Sequence, residues 1–235
     1  MSTASDHRPD KRAEIITAAE RLFAARGVDA VSLREINREA GQRNTSALQY
    51  HFGTRSGLLH AILAKHRPDV EARRHALLDE WEGAGRDDLR GLSAALVLPL
   101  TAKLADADGG REYLQIMGEL VNRPDPEFDP ATMTDPADTT NRWRELVGPL
   151  LGDEAVRVFH ARFTAIRFAH VELARRARGR PRRDDRLFAS RTIDLVTALL
   201  DAPVTDETRR LLTERSRPAR SRPERTRPEH TRRTR

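Results

Sequence analysis

Residues 40–52 read A-G-Q-R-N-T-S-A-L-Q-Y-H-F, and most of their side chains can form hydrogen bonds. A helix is predicted to begin near Asn44 or Thr45, because both residue types are common N-caps. Leu48 and Phe52 lie four residues apart and would share the inward face of this helix. The opposite face would carry Thr45, Ser46, Gln49 and Tyr50. The stretch therefore predicts a short helix that is anchored from behind and polar in front.

Two predicted helices precede this one. From Asp10 to Arg26 apolar residues recur at helical spacing, and the following Gly27 favours a helix end. Residues 32–35, S-L-R-E, form a capping box, which would begin a helix of about two turns that Gly41 ends. After the polar helix, Thr54 would cap a fourth. Two helices followed by a sharp turn and a third helix are typical of a helix–turn–helix DNA-binding domain.

The polar face has the chemistry that DNA recognition requires. Arg, Asn and Gln read base edges in the major groove through paired hydrogen bonds, while contacts to phosphates position the helix without reading sequence. The candidates for reading bases are Arg43, Asn44, Thr45, Ser46 and Gln49. The other candidate DNA-binding residues are Arg34, Tyr50, His51 and Arg55, the last three suited to phosphates. The same spacing is also compatible with a polar surface helix that has no partner.

Three segments carry a resemblance to a known family. They are R-A-E-I-I-T-A-A-E-R-L-F-A-A-R-G (12–27), S-L-R-E-I-N-R-E-A-G (32–41) and Y-H-F-G-T-R-S-G-L-L (50–59). Together they resemble the N-terminal domain of TetR-type (tetracycline-repressor-like) transcriptional regulators, over residues 10–64. The resemblance implies an all-helical dimer with a small DNA-binding domain and a larger ligand-sensing domain. It also implies that an inducer releases the protein from its operator.

The sequence departs from the family pattern in the recognition segment. Nine residues separate Ala40-Gly41 from His51-Phe52, where the family pattern has eight. The usual Tyr position therefore holds Gln49, and Tyr50 follows it, so either residue is a candidate for the DNA contact. Arg55 replaces the common Lys ahead of the fourth helix and suits a phosphate equally well.

The rest of the chain is predicted to be almost entirely helical, so the fold class is all-α. Pro68 is expected to kink or interrupt the helical segment 55–82. Further helices are predicted over 89–105, 111–122, 140–151, 154–178, 184–201 and 206–212, with a proline-rich loop at 123–138. The predicted organisation is a flexible N-terminus (1–9), a DNA-binding domain (10–66), a ligand-binding and dimerisation domain (67–215) and a disordered tail (216–235).

The predicted helices 154–178 and 184–201 are apolar on more than one side. A helix with two apolar sides needs two partners, of which one is its own domain and the other a second subunit. Two such helices from each chain would form a four-helix interface, so we expect a homodimer. Two recognition helices in a dimer would address successive major grooves of a palindromic operator in double-stranded DNA.

The identity of a small-molecule effector is not encoded in a recognisable motif. An apolar or amphipathic molecule is the general expectation for a pocket between helices. Residues on helices that could border such a pocket are Tyr113, Met117, Trp143, Phe163, Arg167 and His170. Residues of these types are more often ordinary members of the core or of the surface than ligand contacts.

Composition limits the other possibilities. The net charge is +6 and no Cys is present, so disulfides, thiolate metal sites and thiol nucleophiles are excluded. Residues 216–235 carry eight Arg and two Glu, so much of the positive charge lies in the tail. The first residues lack the apolar run of a secretory signal, and the longest uncharged stretch has twelve residues, too short to cross a bilayer. We therefore expect a cytoplasmic protein that needs no membrane, metal or cofactor.

Two other classes of function remain open on the sequence alone. One is an enzyme with a helical catalytic domain, although no metal-binding helix motif or phosphate-binding glycine loop occurs. The acidic pairs at 87–88, 153–154 and 184–185 each begin a predicted helix, where the helix dipole favours them. The other class is a DNA-coating protein without sequence preference, driven by the basic ends. Deletion of residues 216–235 distinguishes these classes. A DNA-coating protein would lose most of its binding, whereas an operator-binding protein would keep its preference for one sequence.

Overall fold

The computed structural model describes residues 11–42, 46–123 and 138–216, with residues 46, 47 and 216 described by their backbone alone. Over these ranges the chain forms eleven α-helices, one 3-10 helix (Gly148–Leu150) and no strand, which confirms the all-α prediction. No helix within them is long and apolar enough to cross a membrane. The α-helices are α1 (Lys11–Arg26), α2 (Leu33–Glu39), α3 (Ser46–Phe52), α4 (Arg55–Gly83), α5 (Leu89–Ala102), α6 (Gly110–Leu120), α7 (Thr139–Val147), α8 (Asp153–Phe159), α9 (Ala161–Arg178), α10 (Arg186–Leu200) and α11 (Asp206–Ser216).

The chain divides into two units, Met1–Ala202 and Pro203–Arg235. The second unit contains α11, in which Arg209 forms an ion pair with Asp206 at 2.7 Å. The predicted boundary between a DNA-binding and a ligand-binding domain at residue 66 falls within the first unit and stays a prediction. The predicted flexible N-terminus and tail lie outside the described residues, as does nearly all of the predicted loop 123–138.

The N-terminal helices share one hydrophobic core. Its fully buried members include Phe23 of α1, Ile36 of α2, Leu48 of α3 and Ile62 of α4. Helix α6 adds Ile116 and Leu120 to the same cluster. The helix–turn–helix region is therefore packed directly on a helix of the larger helical region.

A buried charged cluster joins α1 to α4. Glu20 is 1% exposed, and its two carboxylate oxygens lie 2.9 Å from Lys65 Nζ and from His66 Nε2. Lys65 also forms an ion pair with Asp108, which precedes α6, at 2.8 Å. Because a buried carboxylate is stable only when it is paired, these contacts fix the position of α1 on α4.

The second large core lies among α4, α5, α7, α9 and α10. Trp143 is fully buried there, and its indole Nε1 donates a hydrogen bond to the Leu92 carbonyl at 2.7 Å. Helices α6 and α9 cross closely at Gly118. A Cβ atom at that position would lie 2.3 Å from the Cβ of Ala174, so only glycine permits this crossing.

Three predictions about the helices differ from the structure. Helix α4 is continuous through Pro68, so of the kink or interruption expected there the interruption does not occur; the proline lies on the exposed face, while His66 and Val70 on either side of it are buried. The predicted helix 154–178 is two helices, α8 and α9, separated by His160 in the left-handed conformation with φ of 48°. The predicted helix 140–151 also ends early, because residues 148–150 form the 3-10 helix.

Candidate nucleic-acid interface

The start of α2 is fixed by the predicted capping box. Ser32 N–H donates to Glu35 Oε2 at 2.9 Å, and Glu35 N–H donates to Ser32 Oγ at 3.2 Å. Arg26 at the end of α1 reaches the same carboxylate at 2.8 Å. The Ser32 backbone hydrogen bond, together with the Arg26 guanidinium, lowers the pKa of Glu35 to about 2. The carboxylate therefore stays ionised in neutral solution and holds α2 against α1.

The turn after α2 is held by a glutamine that the sequence patterns did not single out. Gly41 adopts a positive φ of 64°, and Gln42 follows it. The Gln42 side-chain amide donates to Glu14 Oε2 of α1 at 2.9 Å and to the Ala40 carbonyl at 3.1 Å. No local spacing signals a contact between residues 28 positions apart, so only the fold reveals it.

Helix α3 is anchored from behind, as predicted. Leu48 is 1% exposed and belongs to the N-terminal core, and Phe52 is half-buried against that core. The guanidinium carbon of Arg12 lies 5.5 Å from the centre of the Phe52 ring, which places a cation–π contact between α1 and α3. Gly53, with φ of 68°, then turns the chain into α4.

The outer face of α3 is open to solvent. Gln49, Tyr50 and His51 are exposed, and Tyr50 is 85% exposed. The rings of Tyr50 and His51 meet edge to face with their centres 5.2 Å apart. A tyrosine this exposed has no packing role, so its ring is accessible to a partner.

Some predicted DNA contacts cannot be placed. Arg43, Asn44 and Thr45 lie outside the described residues, as does the side chain of Ser46. The extra residue in the turn falls in the same segment. The choice between Gln49 and Tyr50 as the DNA contact therefore stays open, with both side chains exposed.

The remaining two predicted DNA contacts flank α3. Arg34 is exposed on α2. Arg55 is half-buried, and its guanidinium donates to the Val28 carbonyl in the loop between α1 and α2. Thr54 caps α4 by accepting a hydrogen bond from Gly57 N–H at 3.1 Å. Arg55 thus supports the loop as well as contributing a positive charge beside the start of α4.

Helix α6 also contacts the loop between α1 and α2. Both carboxylate oxygens of Glu119 accept the Val28 N–H, at 3.1 and 3.2 Å. Arg123 contacts the same Glu119 at 3.3 Å and reaches Asp29 at 2.8 Å. The loop that Arg55 holds from one side is therefore held from the other by α6.

The six predicted effector contacts do not lie together. Trp143 is enclosed in the second core, and Met117 packs partly buried between two clusters. Tyr113 is buried with its ring centre 4.7 Å from that of His66, and burial raises the pKa of Tyr113 to about 12. His170 is also buried, and its Nδ1 lies 2.8 Å from the Ile166 carbonyl.

Only two of the six lie on an open surface. Phe163 is 47% exposed and Arg167 is exposed, with the guanidinium carbon of Arg167 5.5 Å from the centre of the Phe163 ring. Both residues line a surface groove beside the start of α9. Whether any of the six contacts an effector stays a prediction.

Comparison with known proteins agrees with the geometry of the N-terminal helices. Residues 15–62 match the family described as "Bacterial regulatory proteins, tetR family". The solved structure "Crystal structure of Mycobacterium smegmatis AmtR" is 18% identical, with a TM-score of 0.49, and the match covers 91% of this chain and 97% of that chain. No curated protein matches the chain by sequence.

Proposed function

Residues 15–62 carry the N-terminal domain of the tetR family of bacterial regulatory proteins, and from this premise we propose that this DNA-binding transcriptional regulator is a repressor. It binds a palindromic operator and leaves it when a small molecule binds to the larger helical region. Its role is regulatory and not enzymatic, and it acts in the cytoplasm on double-stranded DNA.

The observation that carries the proposal is the construction of α3. Leu48 and Phe52 fix the helix from behind, while Gln49 and Tyr50 project from its exposed face. Because the backbone of α3 is fixed, less conformational entropy is lost when its side chains bind, so their hydrogen bonds to DNA contribute more to affinity. A helix of this size, with its polar face free, fits the major groove.

The palindromic operator follows from a homodimer. Helix α10 carries Leu187 and Leu195, which are 75% and 48% exposed, on the outside of a helix whose other face is buried. Large apolar side chains at such exposure favour a covering partner. We propose that α9 and α10 of two chains form a four-helix interface, which would place two α3 helices about 34 Å apart on one side of the duplex.

The route for release passes through α6. This helix contributes Ile116 and Leu120 to the N-terminal core, and its Glu119 holds the Val28 N–H. A ligand that displaces α6 would disturb the α1–α2 loop and with it the position of α3. No separate hinge is needed, because α6 packs on the N-terminal core through Ile116 and Leu120 and, through Tyr113 and Leu114, on a further cluster with α4, α5 and α9.

Selection of bound fragments from a random DNA pool tests the function. The expected result is a single site with two-fold symmetry and half-sites about one helical turn apart. The chain lacking residues 216–235 should select the same site, because the basic tail adds only sequence-independent affinity. Recovery of unrelated fragments, or loss of all binding on removal of the tail, would indicate a DNA-coating protein instead.

Replacement of Gln49 by Ala is expected to relax the preference at one base pair in each half-site. A bidentate side-chain contact to a base is worth roughly 1–3 kcal/mol of discrimination. Tyr50→Ala should instead lower the affinity for all DNA sequences by the same factor, since a phosphate contact carries no sequence information. Fluorescence anisotropy with the selected site and its single-base variants measures both effects.

The matched control is Arg157→Gln, which removes an exposed charge on α8 far along the chain from α3. It should leave the base preference unchanged. If Tyr50→Ala relaxes the preference and Gln49→Ala does not, the two roles are exchanged. If neither variant alters DNA affinity, α3 does not enter the groove.

A further inference from the structure

Three arginines line one surface groove and have no acidic partner within the part of the chain that the structure describes. The groove has a volume of about 480 Å³ and lies where α7, α8 and α9 come together. Its lining residues are Arg144, Val156, His160, Arg162, Phe163, Thr164 and Arg167. Among the described residues, no ion pair joins any of these three arginines to a carboxylate.

The contacts of the three guanidinium groups are all neutral. Arg144 donates to the Asn141 amide oxygen at 3.4 Å, and Arg162 donates to the Arg144 carbonyl at 3.2 Å. Arg167 lies over the face of the Phe163 ring. Arg162 is thereby held from α9 onto the backbone of α7, at a residue whose own side chain also lines the groove. Because like charges repel at short range, an arrangement of this kind is stabilised by a bound anion.

The groove is also partly apolar. Phe163 is 47% exposed beside Arg167, and the half-buried Val156 of α8 lies on the lining. At the junction of α8 and α9, His160 adopts φ of 48°, the one non-glycine residue with positive φ among those described. Such strain is concentrated at functional sites, where the surrounding structure maintains it. The junction directs the start of α9 toward α7 and so shapes the groove.

We propose that this groove binds an amphipathic carboxylate: an acidic head group attached to an apolar body. Guanidinium forks match the geometry of a carboxylate, and Phe163 and Val156 supply the apolar contact. The volume lies in the range of sites for small organic ligands. The assignment of this ligand as the effector rests on the proposed function, whereas its binding to the groove does not.

Isothermal titration calorimetry of the full chain, without DNA, tests the site. The probes are decanoate, its uncharged counterpart decanol, and inorganic phosphate. We expect the wild type to bind decanoate more tightly than either of the others, because only decanoate engages both the arginines and the apolar lining. No binding of decanoate at millimolar concentration, or equal binding of decanol or phosphate, overturns the proposal.

The decisive variant combines Arg144→Gln, Arg162→Gln and Arg167→Gln. Since charge-assisted hydrogen bonds are the strong ones, its affinity for decanoate should fall about tenfold or more. The matched control combines Arg157→Gln, Arg182→Gln and Arg183→Gln, which removes the same charge from exposed positions of α8 and of the connection between α9 and α10, outside the groove. It should bind decanoate as the wild type does.

Two results with these variants would overturn the site. An equal loss of affinity in both shows that decanoate responds to net charge alone. A change of oligomeric state in the groove variant, measured by sedimentation velocity, shows that the arginines face a second chain. Circular dichroism confirms that both variants are folded, and operator binding is measured separately, so failure of this site leaves the proposed function standing.

Discussion

The Trp143→Ala variant is expected to lose about 3–5 kcal/mol of its free energy of unfolding, as is typical for removal of a large aromatic side chain from a packed core. Trp143 is fully buried in the cluster that joins α4, α5, α7, α9 and α10. The alanine side chain would leave a cavity among helices whose other core residues cannot all move inward. Urea unfolding followed by circular dichroism measures the difference.

A second variant separates packing from hydrogen bonding. Trp143→Phe keeps most of the buried area but removes the donor to the Leu92 carbonyl, so it should cost about 1–3 kcal/mol. Leu98→Ala, on the exposed side of α5, is the control and should cost less than either. An alanine variant as stable as the wild type would show that Trp143 borders open space.

The same residue shows what the sequence could not decide. Trp143 was a candidate effector contact, because a large aromatic residue on an amphipathic helix suits a ligand pocket and a core equally well. Its hydrogen-bond partner lies 51 positions away, and only the packing of α7 on α5 brings the two together. Tyr113 was likewise a candidate effector contact. Its ring lies against that of His66 only because α4 and α6 are neighbours in the fold.

The N-terminal helices were predicted more closely because their signals are local. The capping box spans four residues, and Leu48 and Phe52 lie within two helical turns. Each pattern can therefore be recognised in a short stretch of sequence. The contacts that bind these helices to the rest of the protein span long intervals. Gln42 to Glu14 and Glu119 to Val28 join residues 28 and 91 positions apart, and no periodicity signals them.

The break between α8 and α9 is another feature that the sequence alone did not predict. Residues 154–178 contain neither Gly nor Pro, and their apolar spacing continues through His160. The chain nevertheless takes a left-handed conformation there, which L-residues adopt only when the surrounding packing compensates for the cost. Since the compensation is tertiary, the sequence window predicts one helix where the structure has two.

Between pH 7 and pH 4 the protein is expected to lose about 3 kcal/mol of stability through His170 alone. Burial lowers the pKa of His170 from 6.5 to about 4, and the positive charge of Arg74 on α4 contributes in the same direction. The unfolded chain takes up a proton near pH 6.5, whereas the folded chain resists it until about pH 4. Over that window the unfolded state binds more protons, so the free energy of unfolding falls as the pH falls.

The His170→Leu variant should lack this part of the pH dependence. Urea unfolding at pH 7, 5.5 and 4 gives the free energy of unfolding of the wild type and of the variant as a function of pH. The informative quantity is the difference between the slopes of these two plots. Leu98→Ala, at an exposed position of α5, removes no titratable group and should run parallel to the wild type. Parallel curves for the wild type and His170→Leu would mean that the imidazole takes up a proton as readily in the folded core as in the unfolded chain. That result is incompatible with a buried side chain beside the positive charge of Arg74, so it would require water or an anion beside His170.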